Sequence, residues 1–180
     1  MLKEYFLKTI YRKFTGENQL IMNNTPPSVN ELSQKFQDIK ETGIYLHIPF
    51  CNRICPYCPY NKEIFREEVC QNYVNAIIKE IDSYAPFIKS IPVTSFYIGG
   101  GTPTTMLTKG IETIINHIYR SLDMNCHVHM ESHPDHLTAE NLKIIESIGV
   151  KYLSIGVEAL QDHHLKALKR PYTVSEVMKN

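Results

Sequence analysis

The sequence lacks a long apolar run, an excess of charge of either sign, and an N-terminal export signal. No stretch approaches the ~20 apolar residues that cross a bilayer, so no membrane span is predicted. Nineteen basic and nineteen acidic side chains balance, which gives no electrostatic reason to expect nucleic acid as a partner. The 180 residues, 43% of them hydrophobic, suffice for a globular domain with its own core.

The cysteines are few and odd in number, five in all, so a disulfide framework is not expected. Free thiols without an export signal predict a reducing, cytoplasmic location. Cys51, Cys55 and Cys58 fall within eight residues and are one ligand short of a closed structural zinc site or a four-cysteine iron–sulfur cluster. They predict a cluster with one iron open to another ligand. A zinc site completed by His47 or Cys70 is the alternative.

The pattern along the chain predicts two regions, an N-terminal helical extension with a linker over 1–42 and an α/β core over 43–180. In the first, 1–13 has an amphipathic helical pattern and Gly16 to Asn30 has the composition of a linker. In the second, strands and helices alternate, which predicts a parallel sheet. The predicted strands are Ile44–Ile48, Thr94–Ile98, His127–Glu131 and Tyr152–Gly156; the predicted helices are Arg66–Tyr84, Thr108–Ser121, Ala139–Ser147 (capped by Thr138 and ended by Gly149) and Asp162–Lys169.

Each unusual motif follows a predicted strand, where α/β barrels carry their chemistry. The cysteine loop follows the first strand, and Gly99-Gly100-Gly101-Thr102-Pro103 follows the second. Glycines let backbone N–H and C=O groups approach a small polar ligand closely. Glu131 ends the third strand and could accept hydrogen bonds, and alternation puts His127 and His129 on the same face. For His117, His136, His163 and His164, ordinary core or surface roles are favoured.

The spacing Cys-x3-Cys-x2-Cys with Tyr57 before the last cysteine resembles the signature of the radical S-adenosylmethionine (SAM) enzymes. With Tyr45 to Cys51, the Gly-Gly-Gly-Thr-Pro loop and Tyr152 to Arg170, it is similar to the branch of oxygen-independent coproporphyrinogen III oxidases and haem chaperones. The similarity covers about 43–173. It implies a partial (β/α) barrel in which the three cysteines hold a [4Fe-4S] cluster. It also implies SAM contacts at Tyr45, Gly100, Gly101, Thr102, Glu131, Glu158 and Arg170.

Three residues depart from the pattern of that branch. Tyr60 stands where coproporphyrinogen oxidases carry another cysteine, which favours the haem-chaperone members. Glu158 replaces a usual glutamine, and an ionised glutamate only accepts hydrogen bonds. His133 replaces an asparagine or aspartate, with no effect assigned. No residue is assigned as a catalytic acid or base.

The resemblance implies reductive cleavage of SAM to a 5′-deoxyadenosyl radical, an electron donor such as flavodoxin or ferredoxin, and a small-molecule substrate. A porphyrin, and so a role in haem metabolism, is the leading substrate hypothesis, and haem is a further candidate ligand. A haem carrier without catalysis and a radical SAM methyltransferase remain as alternatives. Because the branch usually completes six units, the chain is expected to be truncated after about four βα units.

Overall fold

The computed structural model describes residues 28–179, and the chain divides into two units, Met1–Gln34 and Lys35–Asn180. The predicted helix over 1–13 lies outside the described residues. Helix α1 (Val29–Phe36) begins at the end of the predicted linker. Ser28 caps it, because its hydroxyl accepts the Glu31 amide at 3.3 Å while the Glu31 carboxylate accepts the Ser28 amide at 2.7 Å. The predicted domain boundary at 42/43 stays a prediction.

The second unit is built on a four-stranded parallel sheet with the order β1-β4-β5-β6. Its strands are β1 (Thr42–Ile48), β4 (Val93–Gly100), β5 (Val128–Ser132) and β6 (Val150–Ile155). Two short strands, β2 (Phe50–Cys51) and β3 (Glu63–Ile64), form a separate parallel pair that the sequence did not predict. The parallel α/β prediction is confirmed, with small shifts at the strand ends.

Five α-helices follow α1, namely α2 (Glu67–Ile88), α3 (Ile111–Ser121), α4 (Ala139–Ser147), α5 (Asp162–Ala167) and α6 (Val174–Val177). Helix α4 has its predicted bounds, and the Thr138 hydroxyl accepts the Asn141 amide at 3.2 Å. Gly149 follows with φ 84°. Helix α3 starts later than predicted because Gly110, at φ 112°, interrupts the backbone before it.

Helices α2, α3 and α4 cover one face of the sheet and enclose the core. Ile111, Ile114, Ile115 and Ile118 of α3 are buried at the spacing of one helical face. They pack with alternate strand residues, including Phe96, Ile98, Val128 and Met130. The other face of the sheet remains open along its middle, where Tyr45 and Tyr152 are more than half exposed. Within residues 28–179, no helix is long and apolar enough to cross a membrane.

Candidate functional site

The cysteine loop is anchored at both ends by the short strand pair. Cys51 lies in β2 and is buried, and its carbonyl accepts the Phe65 amide at 2.9 Å. Cys55 and Cys58 are half-buried and are joined by a backbone turn in which the Cys58 amide donates to the Cys55 carbonyl at 3.2 Å. The fold thus holds the three thiols in one short loop at the carboxyl end of β1.

Neighbouring groups bind the loop directly. The Thr102 hydroxyl donates to Cys51 Sγ at 3.6 Å. Burial raises the pKa of the Cys51 thiol, and the nearby Cys58 and Cys55 thiols raise it further. Lys62 Nζ donates to the Cys58 carbonyl at 2.6 Å and fixes the far end of the loop. These neighbours hold the loop beside the end of β4.

The glycine loop packs against the cysteine loop through its backbone. The Gly101 amide donates to the Ile48 carbonyl at 2.7 Å, and the Thr102 amide donates to the Phe50 carbonyl at 2.8 Å. A Cβ on Gly101 would lie 2.7 Å from the Phe50 oxygen. The glycines therefore allow close approach between two backbone segments of the protein itself. The amides of Gly101 and Thr102 are used in these contacts.

Glu131 is held rigidly on the open face of the sheet. The Tyr97 hydroxyl donates to its Oε1 at 2.8 Å, and the Gly100 amide donates to its Oε2 at 3.1 Å. Gly99 lies between them, and a Cβ there would meet the Tyr97 ring at 2.9 Å. Each carboxylate oxygen keeps accepting capacity beyond these contacts. The sequence did not single out Tyr97, although strand alternation places it on this face.

Arg170 gathers residues from several elements. Its Nη2 donates to Glu158 Oε1 at 2.7 Å and to the Gly156 carbonyl at 2.8 Å. Its Nη1 donates to His133 Nε2 at 2.8 Å and approaches Cys55 Sγ at 3.8 Å. The sequence treated Glu158 and His133 as separate departures, and the structure brings both onto one guanidinium.

His133 is held neutral by this environment. Arginine can only donate, so Nε2 accepts from Arg170 Nη1. Nδ1 lies 3.3 Å from the Asp135 amide and 3.5 Å from Asp135 Oδ2. Burial lowers the pKa of His133 to about 4, against the opposing pull of Asp135 and together with the positive charges of Arg170 and Arg53. Protonation of Nε2 would place its N–H against the N–H of Arg170 Nη1, and the contact between the two nitrogens would be lost.

Stability should therefore fall as the pH drops from about 6.5 to about 4. The unfolded histidine takes its proton near pH 6.5, whereas the folded one resists it down to about 4, so acid favours the unfolded chain. We expect His133 to account for about 2 to 3 kcal/mol of this loss. Burial also lowers the pKa of His136, so His136 contributes to the dependence in the same direction.

Urea unfolding measured across this pH range isolates the His133 share when the protein is compared with His133→Asn. The variant keeps an acceptor for Arg170 and cannot titrate, so its stability should decline less steeply with acid. An equal slope in both proteins would show that His133 does not control this dependence.

His136 ties the cysteine loop to the sheet. The Asn52 amide group lies 3.2 Å from His136 Nε2, and His136 Nδ1 lies 2.7 Å from the Thr104 hydroxyl. That hydroxyl lies 3.2 Å from the Ser132 hydroxyl, and both are buried. Both ring nitrogens of His136 are hydrogen-bonded, as expected of a histidine with a structural role. The ring nevertheless lies beside the cysteine loop.

Tyr45 lies on the open face of the sheet but farther from the carboxyl ends of the strands than Glu131, since it is in register with Tyr97 and His129. Its ring is the first in a cross-strand row with Tyr97, His129 and Tyr152, with centroids 6.2, 6.5 and 4.4 Å apart. Its hydroxyl donates to His47 Nδ1 at 3.0 Å. The shared face predicted for His129 and Glu131 is present, since both lie opposite the buried Val128 and Met130.

One cavity of about 730 Å³ lies above this row, a size typical of small-molecule sites. Its lining includes every predicted site residue except Tyr45: Cys51, Cys55, Cys58, Gly100, Gly101, Thr102, Glu131, Glu158 and Arg170. Three thiols therefore share one space with a fixed carboxylate acceptor. That donor set suits an iron–sulfur cluster held by cysteine, with room beside it for a polar ligand.

The zinc alternative lacks its fourth ligand. His47 Nε2 donates to the Asn61 carbonyl at 3.0 Å while Nδ1 accepts from Tyr45, so both ring nitrogens are used. Cys70 is 1% exposed, and its thiol donates to the Lys109 carbonyl at 3.4 Å. In the described part of the chain, no three His, Cys, Asp or Glu side chains, those of the cysteine loop included, are arranged to hold a single metal ion.

Comparison with known proteins agrees with the sequence motifs. A family model described as the Radical SAM superfamily matches residues 45–180. A protein named heme chaperone HemW from Bacillus subtilis is 33% identical over 136 residues, which is 74% of this chain and 36% of that protein. Anaerobilin synthase from Escherichia coli O157:H7 is 29% identical over 156 residues, 81% of this chain and 35% of that protein.

Among solved structures, coproporphyrinogen III oxidase (HemN) from Escherichia coli is similar with a TM-score of 0.75 and 23% identity, over 85% of this chain and 36% of that one. This similarity supports the fold. The chain spans about a third of the length of the curated relatives it matches.

Proposed function

Because the chain belongs to the radical SAM superfamily, in its HemN/HemW-like branch, we propose that it binds a [4Fe-4S] cluster and SAM in the 730 Å³ cavity. The observation that carries the proposal is the convergence of three cysteines with the glycine loop and Glu131 on that one cavity. The family implies both cofactors. The assignment of individual residues to them is part of the proposal.

Cys51, Cys55 and Cys58 would hold the cluster, which leaves one iron for SAM. When bound and reduced, such a cluster supplies the electron that cleaves SAM to methionine and a 5′-deoxyadenosyl radical. The protein's part is to bind and orient SAM and to limit access of water.

Glu131 is the acceptor that the structure offers to an ammonium or a ribose hydroxyl. Tyr97 and Gly100 fix its two oxygens, so little side-chain freedom is lost when a ligand binds. The amides of Gly101 and Thr102 are engaged inside the protein. A ligand at the glycine loop would therefore meet its carbonyl groups and the bare backbone surface. Tyr45 does not line the cavity, so it would reach a ligand only if that ligand extended along the open face of the sheet.

The substrate proposed is a tetrapyrrole. Relatives that cover most of this chain carry names that refer to haem or bilins, and Tyr60 stands where a coproporphyrinogen oxidase would carry another cysteine. A low-potential donor of the flavodoxin or ferredoxin type would supply the electron. Transfer of haem without chemical conversion is the second candidate, which the HemW similarity favours.

The cofactor proposal is tested by anaerobic reconstitution with iron and sulfide, followed by EPR of the reduced protein with and without SAM. We expect a reduced [4Fe-4S] signal whose shape changes when SAM is added. A colourless protein that takes up stoichiometric zinc instead would refute the proposal.

The two candidate functions differ in what haem does. A haem carrier should give a saturable Soret shift on titration and no new product when SAM and reductant are present. An enzyme should release 5′-deoxyadenosine in a tetrapyrrole-dependent manner. Release of 5′-deoxyadenosine with no binding or conversion of the tetrapyrrole would contradict both candidates.

A further inference from the structure

The terminal N–H groups of Arg170 are occupied before any ligand arrives. Its side chain is only 6% exposed. Its four terminal N–H groups point to Glu158, Gly156, His133 and the Cys55 sulfur. An arginine that clamps a ligand carboxylate presents two free parallel N–H groups. Here that geometry is used within the protein.

Two aromatic rings confine the same group. The guanidinium carbon lies 5.7 Å from the centroid of the Tyr57 ring and 5.6 Å from that of Tyr172. Both distances are within the range of cation–π contacts. The Tyr172 hydroxyl in turn donates to the Gly156 carbonyl at 3.1 Å. Arg170 is thus held along its edges by hydrogen bonds and beside its faces by rings.

The backbone around this cluster is strained. Among the described residues that are not glycine, Glu158 and Lys169 alone have φ in the left-handed region, at 75° and 56°. Such conformations are unfavourable and persist where the surroundings determine them, often at functional sites. One of the two supplies the carboxylate that pairs with Arg170, and the other directly precedes Arg170. Both strained residues therefore serve the same contact.

We propose that Glu158 and His133 are positioning residues that hold Arg170 beside Cys55 and neutralise its charge there. Glu158 supplies the compensating charge, and neutral His133 supplies an acceptor on the opposite edge. The Nε–H is buried and without a partner in the described part of the chain. The glutamine usual in the resembling branch would leave the arginine charge uncompensated.

The hold on Arg170 can be tested in the chain without a cluster. Glu158→Gln and Arg170→Gln each leave one buried or half-buried charge unpaired, so each should raise the unfolding equilibrium constant by about tenfold. The double variant removes both charges. Its unfolding equilibrium constant should rise by much less than the product of the two single-variant increases. Multiplicative effects would overturn the proposed pairing.

The exposed pair Lys109–Glu67, 3.0 Å apart, provides the matched control. Glu67→Gln and Lys109→Gln remove the same charges where solvent screens them. Their effects should be small and should multiply. On the other edge, His133→Asn should preserve stability near pH 7 because its amide oxygen can accept from Arg170, and His133→Leu should not. Equal stability of these two variants would remove His133 from the proposal.

The effect of the compensated charge on the cluster depends on the proposed function and is measured separately. In reconstituted protein, Glu158→Gln should raise the reduction potential, because an uncompensated positive charge favours the reduced cluster. Arg170→Gln should lower it, and the double variant should lie between them. Shifts in the same direction would overturn the charge assignment. If the unaltered chain assembles no cluster, the proposed function fails, while the unfolding test of Arg170 stands.

Discussion

Replacing Cys55 with alanine should abolish the EPR signal of the reduced cluster and lower the iron bound after reconstitution. Three cysteines already leave one iron without a protein ligand, so two cysteines cannot hold the cluster securely. The fold should survive, because Cys55 is half-buried in a loop and outside the hydrophobic core. We expect the free energy of unfolding of the cluster-free chain to change by about 1 kcal/mol or less.

Cys126→Ser is the control for this result. Cys126 is half-buried after α3 and lies outside the cavity lining. Its replacement should leave both the iron content and the EPR signal intact. A Cys55→Ala protein that retained the full signal of the unaltered chain would show that the cysteine loop does not hold the cluster.

Gly101→Ala should damage both stability and cluster assembly. A Cβ at this position would lie 2.7 Å from the Phe50 carbonyl oxygen and 3.0 Å from Cys51 Sγ. Two of the nearest atoms belong to backbone, which cannot turn away as a flexible side chain can. The methyl group must push the glycine loop off the cysteine loop, at a cost of about 3 kcal/mol or more. Urea unfolding and iron content after reconstitution measure the two consequences.

Gly149→Ala separates this steric effect from that of backbone conformation. Gly149 has φ 84°, and nothing lies within 4 Å of its ideal Cβ. Alanine there should cost about 1 kcal/mol through its left-handed backbone alone, with no loss of iron. Equal destabilisation by the two substitutions would contradict the close packing assigned to Gly101.

The elements that sequence predicts well are those with strong local signals. Helix α4 has the predicted bounds because Thr138 caps it and Gly149 follows it. The short β2–β3 pair was missed because two-residue strands carry no periodic pattern and are defined only by their pairing. Helix α2 runs beyond its predicted end to Ile88, with Pro86 in its last turn, where tertiary packing outweighs the local penalty.

Within the site, the sequence identified residue types and missed their partners. Tyr97 looks like an ordinary strand aromatic until the register of β4 and β5 brings its hydroxyl to Glu131. Asn52 and His136 are 84 positions apart, and their contact depends on how the cysteine loop lies over the end of β5. No local pattern encodes such a contact, because it arises from the packing of separate loops.

The sequence by itself determined that three closely spaced thiols lie at the end of the first strand of a parallel α/β unit, because cysteine spacing and hydrophobic periodicity are local properties. It also singled out Glu158 and His133 as unusual. Only the tertiary structure decided that both residues meet Arg170, and that Arg170 reaches the sulfur of Cys55, 115 positions earlier. Those contacts depend on strand register and on the left-handed backbone at Glu158 and Lys169. Both are set by packing across the whole sheet.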